Sequence, residues 1–236
     1  MAPKPAQSGV GEPSRPFGFT VKPVVATLLY FCSVAAIAET RFASACEKLA
    51  AEAEIRVIFE DRQLTRDDSR SLEVLKRLSK SGPNPHHSVL GVTHAEPIAS
   101  LDITPRILSD ADGSVCGVPS LTLKLSFATL QVYLASELKD NCRRRIVEEH
   151  EQEHVAVWRN HFRAGARVLE PLLRRKLAQA AYFSTPLEAR EALQQRVNEL
   201  VVPLLKNLND GIGVSQQEID SAGSYRYVEG RMRACP

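Results

Sequence analysis

Residues 121–158, LTLKLSFATLQVYLASELKDNCRRRIVEEHEQEHVAVW, change period partway along, and the reading of that change decides the fold. Up to Phe127 the pattern alternates: Leu121, Leu123, Leu125 and Phe127 are apolar, while Thr122, Lys124 and Ser126 between them are polar. That is the two-residue repeat of a strand with one buried face. Residues 130–136 predict a second strand, partly buried on both faces. After Asp140 the repeat lengthens. Ile146, Val147, Val155, Trp158, Phe162 and Val168 fall at helical spacings, and Asp140 or Asn141 stands where it can cap the first turn.

Outward from this stretch the elements continue. Residues 41–53 are helix-like and residues 54–60 alternate as a strand does. SKSGPNPHHS, residues 79–88, reads as a loop that holds His86 and His87, and ILSDADGSVCG, residues 107–117, reads as a turn with Asp112-Gly113 at its tip. Downstream, Thr185 is placed to cap a helix with Pro186 in its first turn and Glu188 completing a capping box. That helix is expected to meet Pro203 and to end by Asn209-Asp210-Gly211, with a further short helix in residues 216–236 pinned by Cys235. The expected class is α+β: a small antiparallel sheet followed by a mostly helical part.

The 236 residues, 44% hydrophobic and 25% charged, suit one folded domain with an appendage. The appendage is N-terminal. Residues 1–22 carry Lys4, Arg15 and Lys22 against Glu12 alone, and residues 23–38, PVVATLLYFCSVAAIA, carry no charge. A basic region before an apolar run shorter than a membrane span reads as a signal peptide over residues 1–38, cleaved after Ala38. Ala43-Ser44-Ala45 is a second small-residue site, and an uncleaved anchor is the alternative. Residues 39–236 are then a single exported domain, periplasmic or secreted, that touches a membrane only through the signal or anchor. Cleavage removes three of 30 basic and one of 28 acidic residues, which leaves the two signs equal and argues against a nucleic-acid partner. It also removes Cys32. Cys46, Cys116, Cys142 and Cys235 remain, an even number that predicts two disulfides with three pairings open.

Within the predicted helix, His150-Glu151-Gln152-Glu153-His154 matches H-E-x-x-H. Positions four apart share a helix face, so both imidazoles can reach one Zn²⁺ at about 2.0–2.1 Å with Glu151 beside it. The metal acidifies a bound water and polarises a carbonyl, and Glu151 serves as general base. For a third ligand the sequence offers Glu170, Asp220, Tyr225, Glu188, Glu191 and His94 without choosing among them. His161 lies about 10 Å of helix beyond His154, too far to share the ion. The extended motif that breaks the helix to bring in a third His needs Gly and His where this chain has Val157 and Asn160. Trp158 reads as a core anchor, and Tyr225 and Tyr227 as structural rings or oxyanion donors.

Residues 130–160, with a strand, a Cys early in the next helix and then H-E-x-x-H, resemble bacterial exported proteins described as predicted secreted zinc-dependent proteases. The stretch EIDSAGSYRY, residues 218–227, is similar to an Asp-containing terminal motif of such proteins. The resemblance implies a zincin-like arrangement, His150 and His154 as zinc ligands, Glu151 as base, and a peptide or protein substrate. In such relatives a further His near the C-terminus completes the site, whereas this chain has no His after His161. Motif and resemblance together predict an exported zinc metallopeptidase. The alternatives are an amidase acting on cell-wall peptides by the same chemistry, and an exported binding or assembly module that keeps the helix and hydrolyses nothing.

Overall fold

The computed structural model describes residues 41–79 and 89–236; the signal segment, Cys32, His86 and His87 lie outside the described residues. The chain divides into two units, Met1–Arg41 and Phe42–Pro236, and the second holds the whole sheet and the helices that pack on it. Helix α1 covers residues 41–51, and then come β1 (Ile55–Phe59), β2 (Thr65–Asp67), α2 (Leu72–Leu78), β3 (Gly91–Ser109) and β4 (Val115–Leu134). After these come α3 (Asn141–Leu177), β5 (Ala181–Phe183), α4 (Pro186–Ile219) and α5 (Ala222–Arg233).

The two strands expected at 121–127 and 130–136 are one strand. β4 runs unbroken for 20 residues, and its register against β3 slips where Glu96 faces Thr129 but Pro97 faces Phe127, which leaves Ala128 as an extra residue. A bulge of this kind switches which side chains point inward. Before it Leu121, Leu123, Leu125 and Phe127 are buried; after it Leu130, Val132 and Leu134 are. The change of parity is what imitates two strands in the sequence.

β4 is the axis of a five-stranded mixed sheet. β3 pairs antiparallel along its whole length, turning at Asp110–Ser114 through Gly113, whose φ of 90° is a left-handed conformation that glycine adopts without strain. On the other side of β4 lie β5, antiparallel, and β1 and β2, both parallel. The expected antiparallel sheet is therefore corrected. β1 enters parallel because the chain between β1 and β4 runs out and back through β2, α2 and β3 before pairing, and period-2 patterning carries no information about strand direction.

β3 tolerates Pro97 and Pro105 because it pairs with β4 alone and its other side is an edge. The free edge of β1 is closed differently. From α3, Glu170 Oε2 accepts from Val57 N at 3.0 Å, and Arg174 Nη2 donates to Ile55 O at 2.8 Å, so two side chains stand in for a neighbouring strand.

One sheet face packs against α3 and α4. At its centre Phe127 stacks on Phe162 with ring centroids 5.0 Å apart, and Phe59 and Trp158 meet that pair edge-on. Trp158 is thus the core anchor the sequence suggests. α3 begins at Asp140, whose side chain accepts from Arg143 N, and continues through Pro171 for 37 residues. α4 passes Pro203 and also Gly211, where the sequence predicts a stop, and ends only at Ile219. Tertiary packing overrides the glycine: Ile212 is 1% exposed in the core, and continuing the helix keeps it there. Two disulfides tie the ends, Cys46–Cys116 joining α1 to β4 and Cys142–Cys235 joining the first turn of α3 to the chain just past α5. Such pairs persist in an oxidising compartment. Among the described residues no helix is long and apolar enough to cross a membrane.

Candidate metal centre

Among the described residues, the only polar or charged side chains that are fully buried are His150, Glu151 and His154. Burying three titratable groups costs stability unless they are paired, so their clustering on one turn of α3 marks a site. The helix sends both imidazoles toward the junction of α4 and α5, where Asp220 caps the end of α4. His150 Nε2 lies 3.4 Å and His154 Nε2 3.1 Å from the same Asp220 Oδ1. A ligand atom from each of the three falls within 4.8 Å of the others. Ligands about 2.0–2.1 Å from a tetrahedral zinc stand roughly 3.3 Å from one another, which matches the two nitrogen–oxygen spacings. The imidazole rings are nearly perpendicular with centroids 5.0 Å apart, and Asp220 is half-exposed, so the cluster opens to solvent on its carboxylate side.

Hydrogen bonds determine which ring nitrogen of His154 is available. Gln216 Nε2 donates to the His154 main-chain oxygen at 3.0 Å, and this orients the amide so that its Oε1 contacts His154 Nδ1. An oxygen facing Nδ1 places a proton there, and in a neutral ring Nε2 then carries a lone pair. A lone pair 3.1 Å from an ionised carboxylate oxygen is repulsive unless a positive charge joins them, either a proton on the ring or a cation between the two. Charges follow the same logic. Burial opposes the charged form of His154, but hydrogen bonds to Asp220 and Gln216 and the negative charge of Asp220 outweigh it and raise its pKa above the ordinary 6.5. Burial likewise opposes ionisation of Asp220, yet hydrogen bonds from His150 and His154 hold its carboxyl well below the usual carboxylate range. The donor set, two imidazoles and one carboxylate, is that of catalytic zinc sites with three protein ligands.

Glu151 sits beside this cluster at 4% exposure. Thr93 Oγ1, near the start of β3, lies 2.8 Å from Glu151 Oε2 and 3.0 Å from its main-chain oxygen. Burial raises the pKa of Glu151, only partly offset by the attraction of His154. Tyr225, on α5, donates to Asp220 Oδ1 at 2.9 Å, with its ring 5.8 Å from that of His150. Burial and the Asp220 charge raise its pKa.

Of the third-ligand candidates, then, Asp220 joins the imidazoles and Tyr225 stands behind it. The others are engaged elsewhere. Glu170 closes the edge of β1. Glu188 accepts from Ser184 N at 3.0 Å while Thr185 Oγ1 accepts from Glu188 N, which makes it a helix-capping residue. Glu191 is exposed near the start of α4, roughly 40 Å of helix from Asp220. His94 points away from Thr93 by strand alternation and pairs with Glu96 at 3.3 Å. His161 contacts Ser215 across the α3–α4 seam at 3.1 Å, and Tyr227 is 67% exposed under Arg231. Sequence reasoning misses Gln216, Thr93 and Gly91. Gln216 carries a signal, because it precedes Asp220 by one helical turn just as His150 precedes His154.

Compared with known proteins, the chain matches no family model, no curated protein and no solved structure.

Proposed function

We propose that the protein is an exported zinc-dependent peptidase in which His150, His154 and Asp220 hold the metal and Glu151 is the general base. The observation that carries this is the convergence of two imidazole Nε2 atoms and one carboxylate oxygen beside a buried Glu. Zinc held by these three residues would supply a water of lowered pKa and a Lewis acid for the scissile carbonyl. Glu151 takes up the proton lost by the attacking water and returns it to the leaving amine; burial suits it to the task by raising its proton affinity above that of an ordinary carboxylate. Tyr225 keeps its phenolic proton through the neutral range and donates a hydrogen bond to Asp220 Oδ1, which holds that carboxylate toward the imidazoles. The side of β3 left unpaired among the described residues starts at Gly91, against Glu151, and offers main-chain groups to an extended peptide. The two disulfides and the apolar segment at residues 23–38 support export.

The purified protein is expected to hold about one zinc per chain. Glu151→Gln should keep the metal and lose hydrolysis of unfolded casein, while Asp220→Ala should lose both. Absence of stoichiometric zinc, or unchanged hydrolysis in Glu151→Gln, rejects the reading. A non-catalytic module is the second reading, favoured by the hydrogen bonds that close His154, Asp220 and Tyr225 on one another. It predicts no hydrolysis that depends on Glu151.

A further inference from the structure

We propose that Gly91 and Thr93 form a socket that fixes the Glu151 carboxylate, with Thr93 as a positioning residue for the base. This rests on the reading of Glu151 as that base. Residues 91 and 93 are the first two of β3 to point toward α3, and each meets one side of the same carboxylate. A Cβ at Gly91 would stand 2.6 Å from Glu151 Oε1, 2.8 Å from Glu151 Cγ and 2.8 Å from Val147 Cγ1. Real side chains do not approach so closely, so the bare Cα of Gly91 makes the space that Oε1 occupies. Oε2 lies 2.8 Å from the Thr93 hydroxyl. Both oxygens are thereby placed, one by the absence of a side chain and the other by a hydrogen bond.

The hydroxyl has two acceptors in reach, Oε2 at 2.8 Å and the Glu151 main-chain oxygen at 3.0 Å, so it can tie the carboxylate to the turn of helix that bears it. Valine fills the same volume and cannot. A purely space-filling role would therefore tolerate Thr93→Val.

The test uses the full chain, with unfolded casein as substrate. Thr93→Val should retain one zinc and lower kcat about tenfold or more with KM changed less than about twofold, because a displaced base costs turnover and not binding. Thr93→Ser should restore most of kcat, and Gly91→Ala should lower kcat with zinc retained. A second readout needs no metal: urea unfolding of the metal-free protein in a cycle of Thr93→Val, Glu151→Leu and the double variant. Each single change leaves a buried polar partner or loses one, whereas the double removes both, so the double's midpoint should lie above the sum of the single shifts. Thr93→Val with more than half the parent kcat, failure of Thr93→Ser to restore it, or additive midpoints would each overturn the socket. If the parent does not hydrolyse casein but the midpoints are non-additive, the peptidase reading fails and the socket stands.

Discussion

Cys142–Cys235 should be the main restraint on α5, and replacing both cysteines by serine tests this directly. The bridge closes a segment with a sequence separation of 93. Chain entropy assigns such a cross-link about 4.7 kcal/mol at 25 °C, through the freedom it removes from the unfolded chain. Against this, α5 contains no fully buried residue. Its contacts with the rest of the fold include Arg231 on Glu149 at 2.6 Å, Tyr225 on Asp220 at 2.9 Å, Arg143 donating to Met232 O at 3.4 Å, and the half-buried Met232 side chain at the edge of the core. An ordinary hydrogen bond contributes about 1 kcal/mol, and a solvent-exposed ion pair such as that of Arg231 adds little. With no fully buried side chain in α5 and few polar contacts to hold it, two effects of removing the tether are expected. In urea denaturation of the metal-free protein, the double serine variant should lose about 3–5 kcal/mol with little change in m. Amides of residues 222–233 should exchange with solvent near the rate of a free chain, while those of α3 stay protected. Replacing Cys46 and Cys116, with a separation of 70, is the control: comparable loss in urea and no change of exchange in α5. A loss below about 1 kcal/mol with α5 still protected would refute the reasoning and assign the helix to its packing.

Two further outcomes concern the metal. Gln216→Leu removes the oxygen that faces His154 Nδ1, and loss of such a support typically weakens zinc binding by 10- to 100-fold; competition with a chelating dye measures it, and unchanged affinity would show that this amide does not set the ring. Because the pKa of His154 is raised, zinc must displace a proton at pH values above the ordinary 6.5, so zinc affinity should keep climbing with pH beyond that point before it levels. In the metal-free protein, linkage fixes the signs. The His154 contribution is fully present below its unfolded value and lost as pH rises through its raised folded value, and the raised Glu151 pKa acts in the same direction. The Asp220 contribution is present above 3.8 and lost on acidification through its depressed folded value. Urea midpoints of the metal-free protein should therefore decline on both sides of mildly acidic pH, and a profile flat from pH 5 to 9 would contradict these shifts.

The features legible in the residues alone are local. Asp140 before a 3.6-residue repeat, Thr185-Pro186 with Glu188, and Asp112-Gly113 are short-range chemistry, and the structure has a helix start, a helix start and a hairpin tip at those places. β4 reads as two strands because Ala128 flips its parity, and β3 is silent because an edge strand with two prolines has neither strong alternation nor a fully buried face. The choice of third ligand is also out of reach. Asp220 is 66 residues from His154, and only the length of α4 and its packing against α3 bring them together. Had α4 stopped at Gly211, neither Gln216 nor Asp220 would reach the imidazoles.

Glu170 and Glu151 show why residue type and spacing do not assign a role. Both are carboxylates on α3. Glu170 is spent on a main-chain N–H that would otherwise lack a partner at a sheet edge, and that contact gives it a structural reason to exist. Glu151 closes no edge and caps no helix: it is buried at a cost, against a glycine that makes room for it and a hydroxyl that holds it. Apolar residues of similar volume in place of buried charged groups are often neutral or stabilising. A chain that buries three titratable side chains on one turn of α3 gives up stability there, and such clusters of perturbed groups gather at functional sites.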